Sequence, residues 1–315
     1  MAAEENSLEG HKVIAFAKNV DLIAQQTQSA LTPHVMADLA YAGKGTEFTD
    51  ELMGTSDPEA ILDDTGDTPI GNVDKFRRRA FFMSFGDGQL IGDREKAEQL
   101  VDPTNAVVRA VAAGLQRFRD KSIVDMCFFN PAYQNNKKGE PVSTSFPAAN
   151  IVAVNEWGSF KGKADGGGTA PTTQSGLTPP KIRKMLEIID KSNIKGQVNI
   201  GVERADLNNL LTSTETTSSD YSAVKALVHG EINTFMDVNF VRMNYGLAPA
   251  VSGQAGQFKL PCWIKDNCVY KERILVATKI WEDASKQFVW RLFYKKMNAG
   301  LRRQDAGVVH IIVKR

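Results

Sequence analysis

The residues of this chain that could do chemistry are three cysteines, four histidines, some paired carboxylates, one glycine run and one arginine triplet. Cys262 and Cys268 have five residues between them, and Cys127 stands far away. Zinc knuckles use closer pairs, so this spacing favours buried single thiols over a metal site. His11, His34, His229 and His310 form no spaced cluster. His11 and His34 are expected at the surface, and His310 in an alternating strand. Gly166-Gly-Gly-Thr169 lacks the Lys-Ser/Thr ending of a phosphate loop and reads as a surface loop. Asp63-Asp64 and Glu282-Asp283 sit in turn-like contexts, where adjacent carboxylates form a solvated face. No nucleophile elbow, His-Glu-x-x-His pair or dinucleotide fingerprint occurs. No catalytic residue, metal or cofactor is expected.

The triplet Arg77-Arg78-Arg79 carries two readings. It is either a solvated strand edge that discourages mispairing, or a ladder of charge-assisted contacts to carboxylates on an adjoining subunit. Acidic groups nearby weaken a phosphate-binding reading. Asp63, Asp64 and Asp67, in the acidic turn that precedes the triplet, are the candidate partners on the adjoining copy.

Several elements must position these residues. Phe16, Val20, Ile23, Thr27 and Leu31 repeat at helical spacing up to Pro33. Val35, Ala37, Leu39 and Tyr41 alternate like a strand, 43–72 is acidic and turn-rich, and Phe76–Phe85 returns as a strand. Residues 35–85 therefore predict a long two-stranded excursion. Asp102 as N-cap and Pro103 at the first position then open one helix, Asn105 to about Phe128, with the stretch 103–128 roughly 39 Å long. Val107, Val111, Leu115, Phe118 and Met126 form its apolar stripe, which Val108, Ala112, Ile123 and Cys127 widen.

Further along, Asn150–Val154 predicts a short strand, and Thr178-Pro179 starts a helix with Ile182, Met185, Leu186 and Ile189 on one face. Strands are expected at Val198–Val202 and Val238–Met243, and helices at Arg204–Leu211 and Ser219–His229, the latter closed by Gly230. A last helix is read at Asn267–Lys279, followed by strands at Phe288–Tyr294 and Val308–Val313 about an Asn298-Ala-Gly300 turn. Strands and helices mix without βαβ regularity, so the class is α+β, with no internal repeat.

Composition narrows the function classes. The 315 residues are 42% hydrophobic, enough for a sizeable core, and the net charge is +1. A duplex binder needs a basic excess to neutralise phosphates, so dedicated nucleic-acid binding is not favoured. An odd number of scattered cysteines suggests a reducing compartment. No hydrophobic signal core follows the acidic start, and no run reaches membrane-span length. A soluble protein made inside a cell is expected, with no membrane contact.

The order of these parts resembles the major capsid proteins of tailed bacteriophages, with the Hong Kong-97-like coat fold. The resemblance runs from about Phe16 to the C-terminus. It rests on Gly71-Asn-Val-Asp-Lys-Phe-Arg-Arg-Arg79, Asp93-Arg-Glu-Lys96, Leu100-Val-Asp-Pro-Thr104, Leu177-Thr-Pro-Pro-Lys-Ile-Arg183, Asp220–Glu231 and the tail Gly300–Ile312, taken together and in order. It implies an N-terminal arm at 1–34, an extended β-hairpin loop at 35–90 and a peripheral domain with its spine helix at 91–195. It also implies an axial domain at 196–265 and a closing helix and strands at 266–315 that return to the peripheral domain.

The implied function is a structural one. Copies self-assemble as pentamers and hexamers into an icosahedral head shell around double-stranded DNA, bound without sequence specificity. A portal protein occupies one vertex. The arm-like helix begins near residue 13, so any scaffolding protein is separate, as are any decoration proteins. The protein is expected in the virion, after synthesis in the host cytoplasm. Lys75 is the only lysine from 45 through 95 and sits on the return strand rather than at a loop tip, which argues against a loop cross-link. Two alternatives stand beside this reading: an encapsulin-like nanocompartment shell, and a soluble enzyme using Cys262 or Cys268 as nucleophile.

Overall fold

The computed structural model describes residues 28–54, 73, 75–91, 104–135, 140–156, 174–213, 219–230, 232–286 and 289–315. The expected arm helix lies outside them as far as residue 27, and its last turn, 28–31, is not helical; the acidic turn with Asp63, Asp64 and Asp67 and the Gly166 run also lie outside them. In chain order the chain forms β1 (Met36–Asp38), β2 (Glu47–Met53), β3 (Lys75–Phe81), β4 (Met83–Ile91) and α1 (Thr104–Ile123). Next come β5 (Ala132–Asn135), β6 (Pro141–Thr144), β7 (Ile151–Val152), α2 (Pro179–Lys191) and β8 (Val198–Val202). The remainder is α3 (Arg204–Ser213), α4 (Ser219–His229), β9 (Thr234–Phe235), β10 (Val238–Arg242), β11 (Gln257–Ile264), β12 (Cys268–Asp283), β13 (Val289–Arg302) and β14 (Val308–Lys314).

Three sheets organise these elements. The largest runs β7-β14-β11-β8-β10-β9. All five residues of β8 are buried, as a strand covered on both faces requires. One side chain there is polar: Asn199 lies in register with Asn239 of β10 and accepts its amide hydrogen at 2.8 Å. Around this sheet Ile182, Met185 and Ile189 of α2, Leu207 and Leu210 of α3, and Val224 and Leu227 of α4 form the main core. The second sheet, β1-β12-β13-β4, is built on the long antiparallel pair β12–β13. The third, β2-β3-β5-β6, carries the arginine triplet.

Four expectations are corrected. Asn267–Lys279 is not a helix. It lies largely in β12, whose register with β13 slips between Ile274 and Val276 and again before Lys279. These irregularities break the period of two and leave the run Ile274-Leu275-Val276 looking helical. The partner of the return strand is β2, not residues 35–41, because β1 instead pairs in parallel with β12. Phe76–Phe85 divides into β3 and β4, which belong to different sheets. Asn298-Ala-Gly300 is not a turn but the middle of β13: a Cβ on Gly300 would stand 2.6 Å from Cys127 Sγ and 2.9 Å from Met126 Cβ. Glycine is there so that a helix end can press onto the strand.

That helix end also departs from expectation. The α-helix stops at Ile123 and continues as a wider π-helical turn, Val124–Phe129, which buries Val124, Cys127 and Phe128. The orphan carbonyls of the helix end find buried donors: Phe128 O accepts from His310 Nε2 at 3.0 Å and Arg302 Nη1 at 3.3 Å, and Asn130 O from Arg302 Nη1 at 2.5 Å. The buried side of α1 is more polar than its sequence stripe suggested. Phe118 is exposed and stacks on Phe85, while Arg119 and Asp120 are buried. Asp120 accepts hydrogen bonds from Ser29 Oγ and from the backbone N–H groups of Ala30 and Leu31, fastening the incoming chain to α1. Arg119 donates two bonds to Glu272 at 2.9 and 3.1 Å, and Lys296 Nζ donates a third at 2.6 Å.

Candidate assembly surface

Period-two alternation sends the arginine triplet to two sides of β3. Arg77 and Arg79 share one face with Glu47 and Glu51 of β2, and the pairs Arg77–Glu51 and Arg79–Glu47 form across the two strands. Arg78 points the other way. It lies opposite Asp50 in register, but Asp50 pairs with Arg303 Nε at 2.5 Å, and Arg78 Nη2 instead reaches Asp305 Oδ2 at 2.8 Å. Asp305 also accepts from Arg302 Nε at 2.6 Å. Burial works to raise the Asp305 carboxyl, and the hydrogen bonds from Arg302 and Arg78 overcome it, holding the group below the ordinary aspartate value.

All three arginines therefore have carboxylate partners within their own chain. Arg77–Glu51 is solvent-exposed and is worth about 0–1 kcal/mol. The proposed partners Asp63, Asp64 and Asp67 lie outside the described residues. Glu47, Asp50, Glu51 and Asp305 were missed from sequence. The alternation of Glu47, Thr49 and Glu51 against Phe48 was the signal that could have revealed β2.

The strands beside the triplet expose apolar side chains. Met53, Phe76, Phe81 and Met83 stand on β2, β3 and the start of β4, with Met53 75% and Met83 60% exposed. Elsewhere Tyr245 is 94% exposed in the loop after β10, and Leu90, Ile274 and Trp281 are exposed along β4 and β12. An isolated subunit that leaves this much apolar surface on extended strands is suited to being covered by neighbours.

The residues weighed for catalysis are placed as packing groups. Cys127, Cys262 and Cys268 are all buried and free. Burial pushes the Cys127 thiol up to about 12, and the other two well above the ordinary range. Cys268 begins a strand rather than a helix. His310 stacks on Phe146 at 3.9 Å between ring centres and is driven down to about 3 by burial, so its neutral ring serves as a hydrogen-bond donor. His34 is partly buried rather than exposed: its Nδ1 lies 3.3 Å from Asn239 Nδ2, and its carbonyl accepts from Trp263 Nε1 at 2.7 Å. Among the described residues no group of three or more His, Cys, Asp or Glu could hold a metal ion, and no helix is long and apolar enough to cross a membrane. In native protein at pH 7, thiol reagents are expected to label none of the three cysteines over minutes, and all three after denaturation. Rapid labelling of Cys127 in the native state would contradict its place against Gly300.

Comparison with known proteins decides what kind of surface this is. The sequence profile of the phage capsid protein family matches residues 9–314. The chain belongs to the phage capsid protein family. No curated protein sequence matches it, but solved phage capsids share its fold. The capsid of cyanophage P-SCSP1u superposes with a TM-score of 0.67 at 10% identity, covering 95% of this chain and 92% of that one. The capsid of Ralstonia phage GP4 gives 0.64 at 9% identity over 100% and 97%. The mature capsid of bacteriophage PhiM1 gives 0.60 at 11% over 95% and 90%. At such identities the likeness establishes the Hong Kong-97-like fold, and the family match makes this phage capsid protein a major capsid protein rather than an enzyme. Its place is the virion capsid, where copies of the chain assemble into the shell.

Proposed function

We propose that this capsid protein closes an icosahedral head by forming hexamers and pentamers whose subunits lap over one another through the strands β2–β4. The observation that carries this reading is the apolar surface of Met53, Phe76, Phe81 and Met83, exposed on strands β2–β4. Residues 1–34 act as the arm, 35–90 as the overlying loop, 91–195 with 266–315 as the peripheral part, and 196–265 as the axial part. The grouping of β8 to β11 with α3 and α4 supports the axial unit, and β11 joins it to the closing strand β14.

Repeated heterologous contacts tile such a surface, and small changes of angle between copies close it. A net charge of +1 suits a lining that holds double-stranded DNA loosely and without sequence preference. A portal protein at one vertex, separate scaffolding or decoration proteins, and synthesis in the host cytoplasm complete the proposal. Expressed with its scaffolding partner if one exists, the chain is expected to sediment as capsomers or closed particles, visible by negative-stain electron microscopy. A stable monomer of 34.6 kDa across salt and concentration would refute the proposal.

A further inference from the structure

Between β10 and β11 the chain makes a turn, 244–248, that is held from behind and bare in front. Glu203, at the junction of β8 and α3, is only 2% exposed. Its Oε1 accepts from the backbone N–H groups of Gly246 at 3.1 Å and Ala248 at 3.2 Å. Its Oε2 accepts from Arg315 Nη1 at 2.6 Å, and Arg315 in turn donates to both oxygens of the buried Asp206 at 3.0 and 2.6 Å. The Met243 N–H donates to Val202 O at 2.8 Å on one flank of the turn, and Ala248 is buried on the other. Gly246, at φ +81°, supplies the left-handed residue that the bend needs. Tyr245 stands at the tip, 94% exposed. A Cβ built on Gly246 beside it would meet no atom within 4 Å among the described residues, so the front of the turn is open to approach.

We infer that this turn is a preformed docking knob, with Tyr245 as the anchor that seats on a second copy of this chain. A buried carboxylate is costly unless its oxygens are satisfied, and Glu203 spends one of them on the back of a single exposed turn. The backbone that carries Tyr245 is therefore ordered before any partner arrives, and a tyrosine has few rotamers left to lose on docking. The tip Asn244-Tyr-Gly-Leu-Ala-Pro249 carries no charge, and the preceding Arg242 gives its Nη2 to the carbonyls of Leu227 and Val228. Duplex phosphates ask for cations, so packaged DNA is a poor match. A ring with a polar end suits a protein interface. In a shell built of copies, one knob per chain meeting a different patch on the next copy is the heterologous contact that closes a ring. The inference rests on the shell reading above and deepens it by naming a contact on the β8–β11 unit.

The test places the photo-crosslinking residue p-benzoylphenylalanine at position 245 of the full chain. Irradiated particles are expected to give covalent dimers of the chain on denaturing gels, and dilute disassembled subunits none. Particles that give no adduct, adducts confined to single chains, or adducts only to another protein would each overturn the inference while leaving the shell reading intact. The second measurement is Tyr245→Ala beside Tyr245→Phe. Because the side chain is exposed, Tyr245→Ala is expected to leave urea unfolding of the subunit unchanged. It should raise the concentration needed for half-maximal assembly by about fivefold or more, the loss of a contact anchor, while Tyr245→Phe keeps most of the wild-type behaviour. Wild-type assembly by Tyr245→Ala would overturn the inference, and this pair decides the matter if the photoprobe chain forms no particles. Failure of the unmodified chain to form particles would instead remove the shell reading beneath it.

Discussion

Glu272→Gln is expected to lower the stability of the subunit by about 3–5 kcal/mol, the usual cost of leaving buried charges without their counter-ion. Glu272 is fully buried and receives three hydrogen bonds, two from Arg119 and one from Lys296. It links α1, β12 and β13, so its loss leaves two cations facing an amide. Burial acts to raise its carboxyl, but the bonds and charges of Arg119 and Lys296 prevail and hold it below the ordinary value of 4.5. A carboxylate whose folded pKa is depressed contributes stability above its unfolded pKa and loses it as pH falls through the folded one. The gap between wild type and Glu272→Gln, followed by urea unfolding of disassembled subunits, should therefore be full at pH 7 and narrow below about pH 4.5. A gap of under about 1 kcal/mol at pH 7, or one that widens in acid, would show that the triad does not carry this weight.

Gly300→Ala is expected to cost about 1–3 kcal/mol, although alanine suits a strand better than glycine. The added methyl would stand 2.6 Å from Cys127 Sγ, so the π-helical turn must move away from β13. The same turn presents the Phe128 and Asn130 carbonyls to Arg302, and a shift there loosens the wall of a cavity lined by Arg78 and Arg302. Removing the sulfur by Cys127→Ala should return part of the loss, giving a favourable coupling of about 0.5–3 kcal/mol in a double-mutant cycle of unfolding free energies. Strict additivity would mean that the strand and the turn do not press on each other.

Local signals were enough for several elements. The cap and periodicity of α2 are written in Thr178-Pro179 and Ile182, Met185 and Ile189, all three of which are buried. Gly230 at φ +84° ends α4 as its position suggested, because a left-handed residue closes a helix cheaply. The spine helix, the fold class and the capsid resemblance were equally legible, since each rests on residue order along the chain. Where a strand is bulged, as in β12, the period-two signal is destroyed, and where acidic residues alternate with Phe48, as in β2, composition masks the pattern.

What the sequence by itself determined is the α+β class, the order of parts of a capsid subunit and the helices α1 to α4, together with the lack of any catalytic motif; the bulged β12 and the polar β2 were not among the parts it revealed. Tertiary structure alone decided the partners. Arg119 and Glu272 are 153 positions apart, and Arg302 and the Phe128 carbonyl 174. No local spacing encodes such pairs, because they arise only when packing of the apolar faces brings distant strands to one helix and removes water from the charges between them. The same packing chose among the three adjacent arginines, turning Arg77 and Arg79 toward β2 and Arg78 toward Asp305.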